Sequence, residues 1–150
     1  MSKLSLVVEI GNALQRRMGS AIEHIGGISL AEFWLLDAIA DAPEGEISRV
    51  ALSAAVNMTP SGVSRALKPL EKIGVVESIR SERDARQTKA RLTDAGREVY
   101  ANCSRALEEA MSDLPDFPLE REALEAYWTE LMTPKPRELK YKTNGAFLQG

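Results

Sequence analysis

At 150 residues, 44% hydrophobic and with a net charge of −3, the chain is long enough for one domain with a real core, which excludes a disordered segment and a nonspecific polycation. Its apolar runs of about four residues fall far short of the roughly 18 to 20 that span a bilayer, and the opening MSKLSLVVEIGNAL lacks a signal peptide's continuous apolar stretch, so no membrane partner and a cytoplasmic location are expected. A single cysteine, a single histidine and no Gly-rich phosphate loop or metal-ligand cluster argue against a disulfide framework, a cofactor and an enzyme.

From Leu4 to Ile25, the apolar residues Val7, Ile10, Leu14, Met18, Ile22 and Ile25 recur at helical spacing until Gly26 and Gly27 stop the pattern, which predicts a long first helix. Ser29 and Glu32 form a capping box before FWLLDAIA, and DAPEGE breaks that second helix. Ser48 caps a short third helix, RVALSAAV, and Asn57 and Met58 make a tight connection to TPSGVSRALKPLEKIG. There Thr59 is the N-cap, Pro60 the first helical residue and Gly74 the residue just past the end, with Val63, Leu67, Leu70 and Ile73 as the apolar stripe. Pro69 removes one helical hydrogen bond and predicts a bend near the last turn.

Downstream, VVESI and TKARL are expected as two strands joined by the charged turn RSERDARQ. Thr93 then caps a helix with Val99, Cys103, Ala106, Leu107, Ala110 and Leu114 on one side. After the PDFP interruption, LEREALEAYWTELM forms a last helix with Leu124, Tyr127, Trp128 and Leu131 inward, ended by Pro134 and Pro136. The organisation expected is a single domain over 1–132, with a lobe at about 29–92, flanking helices at about 4–25 and 94–132, and a polar tail over 133–150.

A helix, a short turn, a second helix with a polar outer face and then a two-stranded wing is the order of a winged helix-turn-helix, here in a mainly α chain with a small β-hairpin. Residues 59–91 carry eight Lys or Arg against four acids, so this third of the chain is +4 and the remainder −7, the segregation expected of a docking face for a polyanion. The second helix of such a unit enters the major groove with its first turns nearest the base edges. Thr59, Ser61, Gly62, Ser64 and Arg65 occupy that end. Arg65 suits a bidentate contact to guanine, Gly62 allows close backbone approach, and Lys68 and Lys72 suit phosphates.

The run from Ser48 to Thr93, and above all DARQTKARLT with its D-x-R-x5-L-T pattern at Asp84, Arg86, Leu92 and Thr93, resembles the MarR (multiple antibiotic resistance regulator) family of transcription regulators. The resemblance extends over about residues 4–132; the tail has no counterpart. It implies a triangular homodimer whose first helix and last two helices interleave between subunits. It also implies a repressor on a palindromic operator of double-stranded DNA, with helix 60–73 in the major groove and wing 80–88 at the minor groove. Arg86 would enter that groove, held by Asp84 and accompanied by Arg83, since a narrow minor groove concentrates negative potential; an Asp84–Arg86 pair that only stiffens the hairpin is the plainer alternative. A small phenolic or carboxylate effector is implied as well. The rival reading is a winged-helix module that binds protein without DNA, against which the basic face counts. Outside the lobe, His24 is expected to satisfy helix-end carbonyls, Cys103 to be a buried inert thiol, and Arg16 and Arg17 to be solvated.

Overall fold

A computed structural model describes residues 1–80, 87–114 and 120–133, divided between two units, Met1–Leu114 and Pro115–Gly150. In the first unit the helices are α1 (Lys3–Ile22), α2 (Leu30–Ala40), α3 (Arg49–Ala55), α4 (Pro60–Lys72) and α5 (Asp94–Met111), with strands β1 (Glu46–Ser48), β2 (Val76–Arg80) and β3 (Thr88–Leu92). The second unit contains α6 (Arg121–Met132).

Local chemistry sets these boundaries. The Ser29 backbone N–H donates to the Glu32 carboxylate at 2.7 Å, and the Glu32 N–H returns a bond to Ser29 Oγ at 3.2 Å, completing the capping box that starts α2. Ser48, Thr59 and Thr93 cap α3, α4 and α5 in the simpler one-way manner. The helix-turn-helix connection is a Schellman motif. Asn57 takes a left-handed conformation (φ 52°) while Met58 N–H donates to the Ser53 carbonyl at 2.9 Å and Asn57 N–H to Ala54 at 3.3 Å. The same motif closes α4 at Gly74 (φ 77°), with Val75 N–H on Leu70 and Gly74 N–H on Glu71. Helix α4 runs unbroken through Pro69 to Lys72.

One buried cluster unites these elements. Ile22, Leu36, Ile39, Leu52, Val63, Leu67 and Leu70 are fully buried, and Val76, Ala90, Leu92 and Cys103 join them from the sheet and α5. Each large aliphatic side chain so placed contributes about 1.5–3 kcal/mol. Gly96 is required where α5 begins, because a Cβ there would lie 1.9 Å from the Val75 carbonyl oxygen. That close approach is organised by Thr93, whose N–H donates to the same carbonyl at 3.2 Å and whose hydroxyl donates to the Gly74 carbonyl at 2.6 Å.

Three expectations need correction. The sheet is three-stranded and antiparallel, ordered β1-β3-β2, rather than a hairpin alone. The Glu46–Ser48 strand is too short to show alternation and exists only by pairing with the distant β3. Ile73 is 52% exposed, since it is the C-cap beyond the last buried turn of α4. In α6, Leu124, Tyr127, Trp128 and Leu131 are exposed at 38, 61, 56 and 61%, because one helix, the only element among the described residues of its unit, has no core of its own to bury them. On α1, Ile22 is buried and Met18 and Ile25 pack on the core, whereas Leu4, Val7, Val8 and Ile10 remain exposed. No helix among the described residues is long and apolar enough to cross a membrane.

Candidate nucleic-acid interface

Helix α4 has two unlike faces. Val63, Leu67 and Leu70 are fully buried, while Thr59, Ser61, Arg65, Lys68 and Lys72 are exposed and Gly62 and Ser64 half-buried. At its start the Thr59 hydroxyl accepts from Gly62 N–H at 3.1 Å and lies 3.3 Å from Ser61 Oγ. A Cβ on Gly62 would sit 3.0 Å from that same Thr59 oxygen, so the glycine protects the cap as well as keeping the surface low. Six of the nine expected contact residues, Thr59, Ser61, Gly62, Ser64, Arg65 and Lys68, thus fall on one end and side of one helix. The other three, Arg83, Asp84 and Arg86, lie outside the described residues.

The acids among these elements are directed away from that row. Glu71 Oε1 accepts from Arg49 Nη2 at 3.4 Å and from the Ser78 hydroxyl. Arg49, at the start of α3, also donates to Ser64 Oγ at 3.0 Å and Ser78 Oγ at 2.9 Å, so one guanidinium ties α3, α4 and β2 together. On the sheet, Glu77 pairs with Arg91 at 2.9 Å, and Glu46 with Arg91 and Lys89, each at 3.4 Å. Two of the cations counted in the basic third therefore serve the sheet. Arg65 and Lys68 have no carboxylate partner among the described residues, so their charge is available at the surface.

Sequence reasoning missed Arg49 and Glu46. Nothing in RVALSAAV or DAPEGE marks them, because their partners are 15 to 45 positions away. Outside the lobe, Cys103 is fully buried, and burial pushes its thiol above the ordinary value. Tyr100 is raised likewise, first by burial and then by the hydrogen bond it donates to Asp37 at 2.9 Å. Arg17 is not simply solvated: it pairs with Asp113 and donates to the Ala110 carbonyl, clamping α1 to the end of α5.

A family model described as the MarR family matches residues 26–87. YdgJ of Bacillus subtilis, an uncharacterised helix-turn-helix-type transcriptional regulator, is 36% identical over 97 residues; the match covers 65% of this chain and 58% of YdgJ, less than two thirds of that relative's length. Sco3205 of Streptomyces coelicolor, a MarR-family regulator solved in complex with DNA, superposes with a TM-score of 0.66 at 23% identity, covering 85% of this chain and 80% of the other. A cysteine-to-serine mutant of Escherichia coli MarR complexed with operator DNA superposes at 0.69 with 20% identity, covering 86% and 92%. At these identities the solved structures establish a common winged-helix fold.

Proposed function

We propose that this chain, since it belongs to the MarR family of transcription regulators, acts as a homodimeric DNA-binding repressor on a palindromic promoter site. The observation that carries the reading is the exposed row Thr59, Ser61, Arg65 and Lys68 on a helix whose opposite face is fully buried. A helix anchored in this way presents a rigid polar edge to the major groove, with Arg65 at base edges and Lys68 at phosphate. The wing sequence supplies Arg83, Asp84 and Arg86, and in this reading Arg86 is the residue for the minor groove, where negative potential is concentrated. That Sco3205 and Escherichia coli MarR were solved with DNA supports the assignment.

The apolar surface that the single chain leaves exposed supports dimerisation: Leu4, Val7 and Ile10 on α1, and Tyr127, Trp128 and Leu131 on α6. Neither helix end is well buried alone, and a palindrome requires two recognition helices about 34 Å apart. A small phenolic or carboxylate effector could place its apolar part in the open groove of Ile10, Ala13, Leu14, Arg16, Arg17 and Leu114, whose walls are almost wholly apolar and whose Arg17 is already paired with Asp113.

Selection of DNA fragments from a random pool by the purified protein tests the function. Enrichment of an inverted repeat is the expected result; no enrichment at low salt would favour a protein-binding module. With that site in hand, Arg86→Ala should weaken binding across many sequences and lower the salt slope by about one unit. Asp84→Ala should do the same more mildly. If both bind like the parent while unfolding more easily, the pair only stiffens the wing.

A further inference from the structure

Arg49, at the start of α3, sets the chemistry of Ser64, the half-buried serine that flanks the exposed row of α4. Its Nη1 donates to Ser64 Oγ at 3.0 Å, and its Nη2 donates to Ser78 Oγ at 2.9 Å and to Glu71 Oε1 at 3.4 Å. Its Nε is buried without a partner among the described residues. A guanidinium only donates, so each hydroxyl it reaches must accept from it and keep its own proton for something else. The Ser78 proton goes to Glu71. The Ser64 proton has no acceptor among the described residues, although Ser64 is half-buried and directly precedes Arg65. A free hydroxyl turns to donate or accept as its partner requires, but one held by a cation is polarised towards donating.

We propose that Arg49 is a specificity-determining positioning residue, which locks Ser64 as a hydrogen-bond donor towards the base edges. The inference rests on α4 entering the major groove. Ser64 then favours a base presenting an acceptor there, such as purine N7, guanine O6 or thymine O4, and disfavours the amino donors of cytosine and adenine. Because Glu71 balances the Arg49 charge, Arg49 does this without adding to the electrostatic attraction for phosphate.

The test compares the base preferences and salt dependence of the full-length parent, Ser64→Ala, Arg49→Lys and Ser78→Ala on sites from the random pool. Lysine keeps the charge but cannot reproduce the fork. Ser64→Ala and Arg49→Lys should lose preference at the same base position, each with about tenfold weaker binding to the best site and an unchanged salt slope. Combining them should be no worse than either alone. Ser78→Ala, which removes one acceptor from the Nη2 end of the guanidinium and one donor from Glu71 while leaving the Nη1 bond to Ser64, should shift the same position less. If Arg49→Lys fails to fold, loss of that preference in Ser78→Ala carries the proposal, and its full retention overturns it. Losses at different positions, additive losses, or a salt slope reduced by about one unit in Arg49→Lys would also overturn it, the last by making Arg49 a phosphate contact. A parent that enriches no DNA would instead remove the reading on which the proposal rests.

Discussion

Arg91 and Glu77 stand opposite one another as register partners on β3 and β2, and their side chains pair at 2.9 Å. Both are about two-fifths exposed, so solvent screens the pair. Its importance is in the accounting of charge: Arg91 lies within the basic third of the chain but is occupied by the sheet, with Glu46 on its other side. Arg91→Ala should therefore leave DNA affinity and salt slope unchanged and lower stability by no more than about 1 kcal/mol. Titration of DNA at several salt concentrations, beside a denaturant melt, distinguishes this from a phosphate contact.

Arg65 should behave in the opposite way. It is exposed in the first turns of α4 and has no carboxylate partner among the described residues. Arg65→Ala should cost about 1–3 kcal/mol on the best site and flatten discrimination between sites, with the fold intact. Retained discrimination, measured by competition with single-base variants, would remove Arg65 from base reading.

The exposed end of α1 offers a test of assembly. Val7 and Ile10 are 65% and 45% exposed in the single chain, so Val7→Asp with Ile10→Asp should leave the folded lobe undisturbed. In sedimentation the variant should run as a monomer and the parent as a dimer, and its binding to a palindrome should weaken by much more than its binding to a half-site. A parent that sediments as a monomer at micromolar concentration yet binds the palindrome at full affinity would exclude the dimer.

Cys103 is expected to be inert as a switch. It is fully buried, and Cys103→Ser should leave both DNA affinity and any response to peroxide unchanged. Its raised thiol value has a definite sign in stability. The unfolded thiol starts to ionise near its ordinary 9.0 while the folded one stays neutral. The contribution is thus complete below that pH and is lost as pH rises through the folded value. Tyr100 acts in the same direction from 10.0 upward. Denaturant melts between about pH 8 and 10 should show falling stability, and Cys103→Ala should flatten the first part of that decline.

Gly96→Ala should be among the most damaging single changes to the lobe, because its Cβ would meet the Val75 carbonyl oxygen at 1.9 Å and backbone would have to shift. A loss of about 1–3 kcal/mol or more is expected by denaturant titration. Gly27→Ala serves as a control: it faces open space and carries only the left-handed backbone penalty of about 1–2 kcal/mol.

Local signals determined much of this protein from sequence alone. Caps act within three or four residues, so Ser29, Ser48, Thr59 and Thr93 mark helix starts that the structure reproduces, and Asn57 and Gly74 mark two turns through their tolerance of positive φ. The polar face of α4 was equally legible, because helical periodicity assigns Val63, Leu67 and Leu70 to the core and so places Arg65 and Lys68 outside. What only the tertiary structure decided is where distant partners meet. A three-residue β1 has no pattern of its own and forms because β3 supplies its hydrogen bonds, and Arg49 finds Ser64, Glu71 and Ser78 because α3, α4 and β2 pack around one core. Periodicity states that a face is apolar without naming what covers it. The same kind of stripe that is buried at Ile22 is therefore exposed at Val7 and along α6, since burial depends on which surfaces the chain can bring within contact distance.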